Sequence, residues 1–317
     1  MQHAPFGGRD YCAAIGVVLI WGTNFIAMKF ALHDMTPFQL GAARYLFAVL
    51  PLILFVPRPK LAWKWVVLYG LFQGVGQFGC LFLALKVGMS AALGSVLMQT
   101  QVFFTALFGF VLMREHASRA LLAGLFIAAL GIGCFAMNYL APGADPGGTT
   151  ALGFVLVLGS AAMWAASNLV VRRAQQSTPQ FAQFHVVPFM VWSSLVPIVP
   201  FILLSLAFDP PATRWQWVGA PWSIWLSLAY LGYFATILAY ALWTGLLKRH
   251  SMNRVAPLSL AVPVVGISSG MLVFGDVIQA WQWAGTVLIV VSLVIMMFGA
   301  RWLEYFQKID RSPGDNQ

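Results

Sequence analysis

The residues with chemical potential in this chain are polar side chains set inside apolar runs. Residues 20–25 read IWGTNF, placing Trp21 and Asn24 three apart on one helical face. Trp164 and Asn168 lie four apart and share a face in the same way, as do Gln73 and Gln77. Gln99 and Gln101 lie two apart, about 200° around a helix at ~100° per residue, so one of them is expected on any given wall. Tyr233, Thr236, Tyr240 and Thr244 form a stripe at spacings of 3, 4 and 4, and Ser259 and Ser268 flank Pro263. Amides, hydroxyls and aromatic rings recognise a small polar solute by hydrogen bonds and ring faces. The nine acids, Asp10, Asp34, Glu115, Asp145, Asp209, Asp276, Glu304, Asp310 and Asp315, all fall in loops, tails or at helix ends. No Ser–His–Asp set, metal-ligand cluster or glycine-rich phosphate loop can be drawn, so neither catalysis, a metal, a cofactor nor direct ATP drive is expected.

The elements that must carry these residues are membrane helices. Of the 317 residues, 60% are hydrophobic and 9% charged, against about 25% charged in soluble domains. Windows of about 20 residues suffice to cross a bilayer. Ten qualify, at roughly 11–32, 37–56, 65–86, 91–113, 119–138, 151–171, 184–207, 222–247, 255–275 and 280–300. Cys12, Cys80 and Cys134 fall in apolar segments and read as small buried hydrophobes. The first run is longer than a signal-peptide core and is expected to remain as a span.

Lysine and arginine orient the chain. Fourteen of the eighteen lie in the two tails and the even-numbered loops; Lys29, Lys86 and Arg214 lie on the other side, and Arg44 lies within the second span. Basic residues stay cytoplasmic, so both termini are expected inside the cell, in an inner (plasma) membrane. The net charge of +9 is thus a topology signal and gives no reason to expect a nucleic-acid partner.

Five spans precede the polar loop at 139–150 and five follow it. WGTNF at 21–25 matches WAASNL at 164–169, an offset of 143 at Trp21/Trp164. RE at 114–115 with AG at 123–124 matches GD at 275–276 with AG at 284–285, an offset of 161. An odd number of spans per half makes the halves enter the membrane from opposite sides. The expected fold is therefore an all-α membrane protein of ten transmembrane helices in two inverted-topology five-helix repeats, over 11–138 and 151–300. Such repeats recur in transporters that bind substrate near the midplane.

The stretches IWGTNFIAMKFALHDMTP (20–37), AARYLFAVLPLILFVPRPK (42–60), QTQVFFTALFGFVLMRE (99–115) and RVAPLSLAVPVVGISSGMLVFGD (254–276) resemble the EamA branch of the drug/metabolite transporter superfamily, within it the O-acetylserine/cysteine exporter type. The likeness runs over roughly 11–300. It implies a central cavity lined mainly by spans 1, 3, 4, 6, 8 and 9 and export of small metabolites, often amino acids, by alternating access. Related folds serve aromatic amino acids, drugs and sugar derivatives.

On this reading Trp21, Asn24, Gln73, Gln77, Gln99, Gln101, Trp164, Asn168, Tyr240 and Ser259 are the candidate substrate-binding residues, and a zwitterionic amino acid the candidate substrate. For Asn24 the alternative is a tie to a neighbouring helix, and for the aromatic stripe that holds Tyr240 it is packing. Arg44, the one charge within a span and away from its ends, has two readings: bonding to helix-end carbonyls or snorkelling outward, or attracting a substrate carboxylate. His185, Lys29, Lys86 and Lys248 read as interfacial anchors. The competing functions are an integral membrane enzyme acting on a lipid-linked substrate, for which acids and histidines are too scattered, and a scaffold, which leaves the matched polar residues without a purpose.

Overall fold

The computed structural model describes residues 7–113, 118–140, 148–177, 185–250 and 255–310. Among these, all regular structure is helical. An apolar solvent requires this, because only a helix or a closed barrel satisfies its own backbone in lipid. Ten helices are long and apolar enough to span a membrane: α1 (Gly8–Asp34), α2 (Pro37–Leu54), α3 (Trp63–Lys86), α4 (Ala91–Leu112), α5 (Arg119–Leu140), α6 (Ala151–Ala174), α7 (Val186–Phe208), α8 (Trp222–Leu246), α9 (Pro257–Phe274) and α10 (Ala280–Gly299). The chain is a multi-pass membrane protein, and each expected window holds one helix. The match at Arg114 and Glu115, and the side chains of Lys248 and Arg254, lie outside the described residues.

Helix ends follow from local sequence. Thr36 caps α2: its Oγ1 accepts from Gln39 N at 3.2 Å while Gln39 Oε1 accepts from Thr36 N at 3.3 Å, and Pro37 opens the first turn. The Thr36 hydroxyl also donates to Asp209 at 2.7 Å, tying the start of α2 to the end of α7. Ser90 caps α4 through Leu93 N at 3.1 Å. Gly275 ends α9 with φ 65°, the left-handed conformation glycine adopts without steric cost. At the start of α1, Asp10 accepts from Arg249 at 3.0 Å and meets His250 Nε2 at 2.9 Å, joining α1 to the end of α8.

Besides a 3-10 turn at Met98–Thr100 within α4, three spans depart further from the α-helix in their interiors. α3 contains a nine-residue π segment at Gly70–Phe78 and α8 another at Tyr230–Leu238, 160 residues apart at both ends. α7 breaks between Ser193 and Ile198. These irregular stretches face one another, and the cavity described below lies among them.

The packing has a matching regularity. α5 pairs with α10, α2 with α7 and α4 with α9; α1 packs on α8 and α9, while α6 packs on α3 and α4. Exchanging each helix for the one five places along leaves this scheme unchanged. At the α5–α10 contact a methyl group on Gly131 would lie 3.1 Å from the Gly285 carbonyl, and one on Gly124 would lie 3.2 Å from the Ser292 carbonyl. These two contacts interchange under a shift of 161 residues. Small residues at such crossings let backbones approach closely, which drives helix association where lipid removes the hydrophobic contrast. Phe82, Phe201, Leu40 and Met28 are fully enclosed, whereas Leu54, Phe55 and Leu272 project outward as lipid-facing side chains.

Candidate functional site

A cavity lies between α2, α3, α7 and α8. Arg44 and Tyr45 line it from α2, and Tyr69, Gln73 and Phe78 from α3. Met190, Ser193 and Ser194 come from α7, and Thr236 and Tyr240 from α8. Gly70 and Gly74 complete the wall. Their hydrogens allow α3 to press on the break in α7: a methyl group on Gly70 would lie 2.7 Å from the Ser193 carbonyl, and one on Gly74 would lie 2.6 Å from the Pro197 ring. The enclosed volume is about 10 Å³, room for about one water.

Two polar chains cross the region. In the first, Gln73 Nε2 donates to the Tyr240 hydroxyl at 3.1 Å and Gln73 Oε1 accepts from Ser167 at 2.5 Å, so one amide joins α3, α8 and α6. The Trp21 ring meets Tyr240 edge to face with centroids 5.1 Å apart, and its indole donates to the Ala235 carbonyl at 3.3 Å. In the second chain, Arg44 Nη2 donates to Thr236 Oγ1 at 3.1 Å and Nη1 makes a long 3.5 Å bond to Asn24 Oδ1. The Arg44 guanidinium lies 3.9 Å above the Phe78 ring.

The candidates read from sequence are thus divided. Gln73 and Tyr240 line the cavity, Trp21 touches Tyr240, and Asn24 reaches the cavity through Arg44. The rest do not line it. Gln99 donates to the Ser259 carbonyl at 3.2 Å, across α4 and the start of α9. Asn168 donates to Gln101 Oε1 at 3.1 Å and to Thr105 at 3.3 Å, across α6 and α4. Trp164 packs against the central core. Gln77 is buried; its carbonyl accepts from Ser160 at 2.7 Å, and its Oε1 has no partner. The resemblance implied walls from spans 1, 3, 4, 6, 8 and 9. Here α2 and α7 supply much of the wall, because polar groups of α4, α6 and α9 are closed onto one another.

Arg44 differs from the first of its two readings. It is 1% exposed, so it does not snorkel, and its hydrogen bonds go to side chains rather than helix-end carbonyls. Lys29 sits 3.3 Å from Asp276 and 4.7 Å from the Phe274 ring centre, while Lys86 donates to the Leu32 carbonyl at 2.7 Å. Both therefore tie helices together near their ends.

Comparison with known proteins gives this geometry a family. The EamA-like transporter family matches residues 9–137 and 151–298. The chain belongs to that family. As an EamA-like transporter it is not an enzyme, and the lipid-linked-substrate reading falls away. Two relatives are each called "Probable amino-acid metabolite efflux pump". The one from Salmonella typhimurium strain LT2 is 39% identical over 294 residues, covering 92% of this chain and 96% of its own. The one from Escherichia coli K12 is 37% identical over 295 residues, covering 93% and 96%. A protein of known crystal structure superimposes with a TM-score of 0.62 at 22% identity, covering 93% of this chain and 98% of that one, which speaks to the fold.

Sequence reasoning about this EamA-like transporter passed over the α7 wall entirely. The signal was WSSLVP at 192–197: two serines and a proline inside an apolar run mark a helix break whose freed backbone groups can face a cavity. Ser167 was also missed; it lies one residue before Asn168, on the face that meets Gln73.

Proposed function

We propose that this transporter is an inner-membrane exporter of small amino-acid metabolites, working by alternating access about the interface of its two halves, with both termini cytoplasmic. The observation that carries the reading is the Gln73–Tyr240 hydrogen bond, which joins the halves across a buried cavity of hydroxyls, an amide and aromatic rings. A small solute with one ammonium and one carboxylate suits such a wall: ring faces and carbonyls meet the cation, and N–H and O–H donors meet the anion. The efflux-pump names of the two bacterial relatives support export as the direction.

Inverted topology is supported by the paired π segments, by the packing scheme that survives exchange of the halves, and by the odd span count per half. In this reading Gln99 with Ser259 and Gln101 with Asn168 are contacts that part as the central path widens. Trp21, Asn24, Gln77 and Trp164 then become walls of that path around Gln73 and Tyr240.

Expression of the full chain in a sensitive bacterial strain should raise tolerance to neutral amino acids, cysteine-related ones among them, and should leave tolerance to sugar phosphates unchanged. Selective uptake of a phosphate ester into inverted vesicles, which is export in the cell, would contradict the substrate class, since multiply charged esters want two or more buried cations and the cavity wall supplies one, Arg44.

A further inference from the structure

The second polar chain contains an unbalanced charge. Arg44 is 1% exposed, lies against the cavity, and a guanidinium stays protonated in proteins. Buried charges are ordinarily paired, because taking an ion out of water without a counter-charge is costly. No acid bonds to Arg44 among the described residues. Asp10 is held by Arg249 and His250, Asp34 by His33, Asp209 by Thr36 and Ser205, and Asp276 by Lys29 and the Ala92 amide. Both groups that do meet the guanidinium, Asn24 and Thr236, are neutral, and Thr236 donates its own proton to the Leu231 carbonyl at 2.8 Å.

The hydrogen bonding is equally incomplete. Of the five N–H groups of a guanidinium, those on Nη1 and Nη2 find one partner each, and the buried Nε has none. The neighbouring Tyr45 lines the same cavity, and its hydroxyl is buried and also lacks a partner. An unfilled guanidinium edge and an unfilled hydroxyl on one wall form a donor set for an oxyanion.

We propose that Arg44 is the carboxylate anchor of the transported molecule, with Tyr45 as a second donor, and that the substrate must carry one carboxylate. This rests on the exporter reading above. The Phe78 ring centre lies 3.9 Å from the guanidinium and packs against it, and the unfilled N–H groups of the fork are free to meet a carboxylate. The Tyr240 and Trp21 rings then receive the ammonium. A zwitterion neutralises Arg44 and leaves no net charge in the cavity. A decarboxylated amine brings a second cation beside the first, and a carboxamide fills the donors without cancelling the charge. Both are rejected. The present cavity, with room for about one water, must widen to take the substrate, and the π segments and the α7 break around it are where the backbone can yield.

The test uses the purified full chain in liposomes and counterflow of labelled L-alanine, L-serine, L-cysteine and L-phenylalanine in turn. For whichever is exchanged, the unlabelled amino acid, its amide and its decarboxylated amine are compared as competitors. The amide and the amine are expected to need at least about tenfold higher concentration than the acid, the effect of one charge-assisted pair. Arg44→Gln, melting in detergent close to the wild type, is expected to lose at least about tenfold in exchange, and Arg44→Lys to recover part of it. Equal competition by acid and amide in the wild type overturns the anchor, whatever the variants do. So does a folded Arg44→Gln protein that exchanges within about twofold of wild type. If the wild type exchanges none of the four amino acids, the exporter reading fails first and the anchor falls with it.

Discussion

Gln73 on α3 and Tyr240 on α8 are joined by one hydrogen bond of 3.1 Å, and this bond spans the two five-helix halves at the cavity wall. The same amide takes the Ser167 proton at 2.5 Å. In the proposed alternating-access cycle, a contact between halves should be cheap to break and important to place. Tyr240→Phe removes it and keeps the ring that Trp21 packs against. The variant is expected to lose no more than about 1 kcal/mol of stability, read as detergent melting, while amino-acid exchange falls several-fold. Unchanged exchange would make the bond a structural tie.

Asn24 is expected to behave in a related way. It accepts from Arg44 at 3.5 Å, so Asn24→Ala frees the guanidinium from one neighbour. Losing such an interhelical bond costs about 0.6–2 kcal/mol, and the protein should reach the membrane in normal amounts. Exchange should fall far more than expression does. Normal exchange at equal expression would assign Asn24 to structure alone.

Much of the fold was legible because lipid imposes one rule on every span: about 20 apolar residues with the backbone closed on itself. That rule placed all ten helices. It could not reveal the π segment at Tyr230–Leu238, because apolar length and hydropathy are the same for an α-turn and a π-turn; the break after Ser193 did have a local signal, the two serines and Pro197, but not the helix it faces. The polar pairs Trp21/Asn24 and Trp164/Asn168 were visible by spacing. Their partners were not: spacing says which residues share a face and leaves open which helix that face meets. Asn168 thus bonds to Gln101, while Asn24 meets Arg44. The charge on Arg44 was visible, but its burial and its place on Phe78 are tertiary facts.

The α3–α7 crossing makes a prediction about stability. Gly74→Val places branched carbon where a methyl group alone would lie 2.6 Å from the Pro197 ring. It should lower stability by about 1–3 kcal/mol through overpacking. Gly133→Ala, which meets nothing within 4 Å, should be neutral or stabilise by up to about 1 kcal/mol through helix propensity. Melting of both variants in the same detergent checks the pair; equal melting would mean that α3 and α7 are not in tight contact.

Topology gives a further prediction. The excess of lysine and arginine in the tails and even-numbered loops predicts a cytoplasmic C-terminus. A reporter fused after Gln317 should fluoresce in its cytoplasmic format, and a reporter active only in the periplasm should be silent there. The reverse outcome would overturn the orientation read from the charges.

The central claim is that this protein moves small amino acids through the cavity joined by Gln73 and Tyr240. Counterflow of labelled neutral amino acids into liposomes holding the purified full chain tests it most directly. The account predicts saturable exchange of at least one of them, dependent on unlabelled amino acid inside and greatly reduced in Gln73→Ala at equal reconstitution. No exchange above protein-free liposomes by a well-folded preparation, or equal exchange by wild type and Gln73→Ala, would contradict it.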